Sequence, residues 1–197
     1  DEVLTHDGTD FDWAAAGGFD VSSITGATAL AAQPAQTDEF VLSDAGTLKR
    51  IDFSHMSSTP AFQAYRTSTQ SISYNTETKV ENDIELFDTD GAYDNSTNYR
   101  FTVPSGKAGK YLIGAGNTIE HINNEKWIIT RVRKNGSDLK SVINSASGVY
   151  PLSAELTFID DASDGDYYES WVIQLDDTAD LMIEYTNYFW MMRIIGA

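Results

Sequence analysis

From Pro60 onward the chain alternates apolar and polar residues with a period of two, the signature of half-buried strands. "YRFTVP" (Tyr99–Pro104) alternates until Pro104 stops it, since proline has no N–H to donate to a ladder. "GKYLIGAGNTI" places Tyr111, Ile113 and Ala115 on one face, and "LSAELTFIDD" does the same with Leu152, Ala154, Leu156 and Phe158. "KWIITRVRKNG" ends in a hairpin turn at Asn135-Gly136. In "DYYESWVIQLDD" the pattern turns Tyr167, Trp171, Ile173 and Leu175 inward. No stretch keeps a helical period. Strands joined by short turns predict an all-β, antiparallel sandwich.

The last strand breaks the alternation. In "NYFWMMRIIGA", Tyr188, Trp190, Met192 and Ile194 fall on one face, and Phe189, Met191, Arg193 and Ile195 on the other. A strand apolar on both sides needs cover on both sides. One side can meet the domain's own core; a neighbouring subunit is the expected cover for the other. The residues expected at this contact are Tyr188, Phe189, Trp190, Met191, Met192, Ile194 and Ile195.

The first 59 residues read differently. "VLTHDGTDFDW" and "VLSDAGTLKRI" share Val-Leu-Thr/Ser, two residues, then Gly-Thr, and each reads as a β-hairpin. "AAAGGFDVSSITGATALAAQPAQTDE" between them is linker-like, and "IDFSHM" after the second fits one helical turn. Two-stranded units are marginal in water, so these hairpins are expected to need neighbours, most simply copies from other chains. The expected division is residues 1–59 as a hairpin stalk or anchor and 60–197 as the folded head.

Residues of the head resemble the complement C1q globular domain and its tumour-necrosis-factor-like relatives. "AFQAYRT" is similar to that family's opening strand. Asp88, Tyr93, Phe101, Gly109 and Tyr111 match its central signature in order, with one extra residue before Phe101 and two before Gly109. Ile113 and Ala115 stand where the family has aromatics. The resemblance implies a ten-strand jelly roll assembled as a homotrimer. "GATALAAQPAQTDEFVLSDAGTLKRIDFSHM" resembles stalk segments of bacteriophage tail fibres, which implies a virion-surface fibre, receptor-binding tip or capsid decoration protein. Its expected partners are other virion proteins and a host-surface glycan or protein. The alternative is a secreted C1q-like module that binds glycans or proteins.

Charge and chemistry narrow this further. Thirteen basic against 30 acidic residues give −17, which disfavours nucleic acid and anionic lipid as partners. With no cysteine there are no disulfides and no thiolate chemistry. No apolar run is long enough to span a bilayer as a helix. His6, His55 and His121 have no metal-ligand spacing, no GxSxG elbow or P-loop occurs, and the protein is expected not to be an enzyme.

Acidic loops remain. "DTDGAYD" (Asp88–Asp94) is not an EF-hand loop: counted from Asp88, glycine falls at position 4 and Tyr99 at position 12. Asp88 and Asp90 instead suit a tight turn. Asp160, Asp161, Asp164 and Asp166 have the spacing of hard-cation ligands, and the C1q-like resemblance implies calcium there; solvated loop acids are the alternative.

Overall fold

The computed structural model describes residues 2–6, 11–15, 32, 34–35, 37–53, 56, 59–148, 150–177, 179–180 and 184–196. The chain divides into two units, Asp1–Ser57 and Ser58–Ala197.

The first unit holds two antiparallel hairpins, β1 (Glu2–His6) with β2 (Phe11–Ala15) and β3 (Glu39–Asp44) with β4 (Thr47–Asp52). Ala45 and Gly46 link the second pair, both at positive φ (49° and 84°), a two-residue turn whose twist matches that of the strands. Asp7-Gly8 and the linker over residues 16–31 lie outside the described residues. Phe53 and Met56 have helical backbone; Ser54 and His55 lie outside the described residues.

The second unit is built from β5 (Ala61–Arg66), β6 (Ser71–Ile72), β7 (Thr78–Lys79), β8 (Ile84–Asp88), β9 (Tyr93–Asp94), β10 (Arg100–Thr102), β11 (Gly109–Ile122), β12 (Trp127–Lys134), β13 (Ser137–Ser145), β14 (Tyr150–Ala162), β15 (Tyr167–Gln174), β16 (Ala179–Asp180) and β17 (Glu184–Gly196). One sheet runs β14-β11-β17-β5-β8; the other runs β13-β12-β15-β10-β9, with β7 also on β15. All these pairings are antiparallel, and the first and last strands of the unit, β5 and β17, lie side by side. This is a jelly-roll sandwich.

The sheets meet over an aromatic stack. Phe62 stacks on Tyr93 (centroids 4.5 Å apart) and on Phe101 (5.0 Å), and Phe189 meets it edge-on at 5.2 Å. Tyr111, Ile113 and Ala115 join them in one buried cluster, as the alternation of β11 requires. A second cluster, centred on Ile119, Ile128, Val80 and Val172, fills the other end. The motif residues Tyr93, Phe101 and Tyr111 are therefore core, and Gly109, buried at φ 143°, sits where a side chain would be strained.

Of the β15 residues expected inward, Ile173 is buried but Tyr167 and Trp171 are not. Tyr168, Ser170, Val172 and Gln174 face the core, while Tyr167 and Trp171 lie outside, half-buried. Polar inward positions are tolerated where they find partners: Gln174 donates to the Ile72 carbonyl at 2.8 Å. Outside, the Arg133 guanidinium lies 4.1 Å from the Trp171 ring and covers it, while Arg100 lies over Tyr167.

Candidate functional site

The outward face of the five-stranded sheet is the surface that the sequence singled out, and β17 runs through its middle. Phe189 and Met191 are 0% and 1% exposed within the single chain, because they point into the sandwich against Phe62 and Ile113. They cannot also form an intersubunit contact, so of the seven residues expected there Phe189 and Met191 are corrected to core. Tyr188 and Trp190 lie on that outward face, half-buried; Met192 and Ile194 are 41% and 42% exposed. The side chain of Ile195 lies outside the described residues.

The neighbours of β17 make this face flat. Gly114 is paired with Trp190 and Gly116 with Tyr188. A Cβ built on Gly114 would lie 2.2 Å from Trp190 Cε2, and one on Gly116 would lie 2.6 Å from Tyr188 Cζ. Both rings therefore lie down across the backbone of β11, in space that only glycine leaves open. Register extends the apolar surface sideways. Ile159, Leu112 and Met192 form one row across β14, β11 and β17. Trp190, Gln63 and Phe87 form the next across β17, β5 and β8, and Tyr188, Tyr65 and Ile84 a third. Ile159, Phe87 and Ile84 are exposed. Burial, with Glu155 alongside, pushes the Tyr188 hydroxyl above its ordinary value, so this group stays uncharged at neutral pH.

The acidic loops are arranged as turn locks. Asp88 accepts hydrogen bonds from the backbone N–H groups of Tyr93 (2.7 Å) and Asp90 (3.2 Å), and Gly91 takes φ 62° between them. Asp94 accepts from the N–H groups of Thr97 at 2.8 Å and Asn98 at 3.1 Å, and from the Asn98 amide at 2.7 Å. The Thr97 hydrogen bond and its companions hold the Asp94 carboxyl well below the usual range. "DTDGAYD" is a strand corner.

Asp160, Asp161, Asp164 and Asp166 do not converge. Asp160 accepts from Lys134 Nζ (2.8 Å) and the Tyr168 hydroxyl (2.6 Å) on the inner side of β14. Asp161, one residue on, is exposed on the other side, beside Lys110. Asp164 accepts from the backbone N–H groups of Gly106, Lys107 and Ala108, and these hold its pKa down. Asp166 is desolvated, but Asn135, the Ser163 N–H and Lys134 outweigh that and lower it. Among the described residues no group of three acidic or histidine side chains is placed to hold a metal. The expected calcium cluster is corrected to carboxylates already engaged by protein donors: Lys134 Nζ bridges Asp160 and Asp166, Asp164 holds a backbone turn, and period two sends Asp161 to the opposite face.

The other sheet carries an ion-pair lattice that sequence reading missed. Arg131 pairs with Glu77 and with Asp138 (2.7 Å), and Arg133 pairs with the same two acids. Lys79 meets Glu169 at 2.6 Å, beside Trp171. The β12–β13 hairpin brings Asp138 to the two arginines, but Glu77 and Lys79 are distant along the chain and join only through the pairing of β7 and β12 with β15.

No family model and no curated protein matches the sequence. Solved structures do match in shape. Eiger, a tumour necrosis factor from S. frugiperda, superposes with a TM-score of 0.55 at 10% identity, covering 71% of this chain and 94% of that one. Murine APRIL gives 0.53 at 12%, covering 70% and 100%. The globular domain of zebrafish complement 1qA gives 0.50 at 17%, covering 70% and 99%. The head is a C1q/TNF-like jelly roll. At these identities the likeness is one of fold, and it matches the fold that the signature residues implied.

Proposed function

We propose that this protein is a non-enzymatic, homotrimeric binding module carried on a virion surface, as a fibre tip, receptor-binding head or capsid decoration. The observation that carries the assembly is the flattened apolar face around Trp190 and Tyr188. Fully burying a large apolar side chain is worth about 1.5–3 kcal/mol, and association costs about 4–15 kcal/mol. These side chains are already about half covered, so Trp190, Met192 and Ile194 with Leu112, Ile159 and Phe87 from the adjoining strands contribute about 4–9 kcal/mol, within the range of that cost. The virion setting is supported by the tail-fibre-like segment "GATALAAQPAQTDEFVLSDAGTLKRIDFSHM" and by the paired hairpins of the first unit.

Binding in this reading is multivalent. Three heads held rigidly together turn weak contacts into strong ones, with gains of about 10²–10⁴. A trimer carries three times −17, or −51, so its host-surface ligand is a neutral or basic glycan or protein. The loops between strands would carry specificity.

The test compares the native protein with Trp190→Asp on host cells. The native protein should bind at micromolar concentration or below, and the variant should bind at least tenfold more weakly while keeping a folded head by circular dichroism. Cells left bare by the native trimer would remove the receptor role and leave the role of clamping virion subunits.

A further inference from the structure

The β3–β4 ribbon exposes apolar side chains on both faces. Val41 and Leu48 are 67% and 74% exposed, and Phe40 and Leu42 are exposed as well. Register puts Phe40 opposite Ile51 on one face, with Leu42 next to them; Val41 and Leu48 lie on the other. Among the described residues the sheet consists of β3 and β4 alone, and neither outer edge has a ladder partner there. Such a ribbon is marginal in water, needs cover on two faces and offers two templates for further strands.

Its charges indicate what fits. The ribbon over Glu39–Asp52 holds three acidic and two basic residues, close to neutral in a chain of −17, so copies of it do not repel as the rest of the molecule does. The charges are also unevenly divided between the strands: β3 carries only acids, Glu39 and Asp44, while both bases, Lys49 and Arg50, lie on β4 with Asp52 at its end. Within one ribbon they pair as Arg50–Glu39 (2.7 Å) and Lys49–Asp44. A β3 edge laid against the β4 edge of another copy sets acid against base again. That contact is head-to-tail, the kind that closes into a ring.

We propose that the ribbon is a second assembly element, in which the β3 edge of each chain pairs with the β4 edge of the next and three ribbons close into a six-stranded collar. This rests on the trimeric reading of the head. Residues 53–60 tie each ribbon to β5, which lies beside β17 in the sheet assigned to the subunit contact. Assembly of three heads therefore raises the local ribbon concentration to about millimolar. A closed ring leaves no free edge, and its inner face hides one set of apolar side chains.

The 197-residue chain provides the test, because it contains no cysteine. In Leu48→Cys the only thiol belongs to the ribbon, so any bridge made by a short bismaleimide joins two chains. Hydrogen exchange of the Glu39–Asp52 amides is read in the native protein and in Leu48→Asp, with mass by light scattering for each. The collar predicts covalent dimers on a denaturing gel, ribbon amides slowed at least tenfold, loss of that protection in Leu48→Asp, and a three-chain mass throughout. Fast-exchanging ribbon amides in a three-chain particle would overturn the collar and leave the head trimer standing. Slow amides without cross-linking would also overturn it, since the ribbon would then be covered within its own chain. A single-chain mass would overturn both readings.

Discussion

Replacing Gly114 by alanine puts a carbon atom where the Trp190 indole lies. The added Cβ would stand 2.2 Å from Cε2, 2.3 Å from Cζ2 and 2.4 Å from Nε1 of that ring. Ordinary carbon contacts sit at about 3.5–4.0 Å, so the ring must lift by about 1.3–1.8 Å. Trp190 is half-buried on an outward face, which gives it room to swing away, so the cost to the protomer fold should stay within the overpacking range of about 1–3 kcal/mol. The larger effect falls on assembly. A displaced tryptophan at the centre of an interface costs about 2 kcal/mol or more per contact. Three contacts per trimer give about 6 kcal/mol, or roughly four orders of magnitude in the dissociation constant. Sedimentation velocity over a dilution series measures that constant, and urea titration measures the protomer. Adding Trp190→Ala to Gly114→Ala should recover protomer stability, because the clash is gone, while leaving the trimer weak. Gly114→Ala with native dissociation and native midpoint would refute the claim that the indole lies flat on this glycine to form the contact.

Other expectations follow from the same geometry. Phe189→Leu, in the core opposite Trp190, should lower protomer stability by about 1–3 kcal/mol in urea titration, an effect that must appear even in a dissociated Trp190→Asp background. The folded-state pKa of Asp94 lies below its unfolded value, so its stabilisation is present above about pH 4 and fades as pH falls through the folded value. Asp94→Asn should therefore reduce the loss in urea midpoint between pH 7 and pH 3. Raising salt from about 0.01 M to about 0.15 M shortens the screening length from about 30 Å to about 8 Å and should tighten the trimer, because each chain carries −17. Chelator should change neither mass nor melting temperature; dissociation on chelation would restore the acidic loops as cation sites.

Much of the fold could be read because local signals agreed with one another. Asn135-Gly136 gave its hairpin, and both residues take positive φ (52° and 78°). In β11 the apolar residues Tyr111, Ile113 and Ala115 recur at every second position, and all three are core. β15 misled because both its faces carry aromatics. The inward face was then decided by what could cover Trp171 outside, namely Arg133 from the neighbouring strand, which no local window contains. The last strand is apolar on both faces. That pattern did not show that Phe189 and Met191 belong to the inward one, since that depends on which side of the sheet the aromatic stack fills. The glycines of β11 gave the least warning. "LIGAGNT" reads as a weakened strand until Trp190 and Tyr188 are found lying across Gly114 and Gly116.

Mass in solution from light scattering at micromolar concentration, in moderate salt, bears most directly on a sheet face that is complete only against sister chains. The account predicts three times 21.7 kDa for the native protein and a single chain for Trp190→Asp. A native mass of 21.7 kDa, with the Trp190 indole open to quenchers, would contradict it.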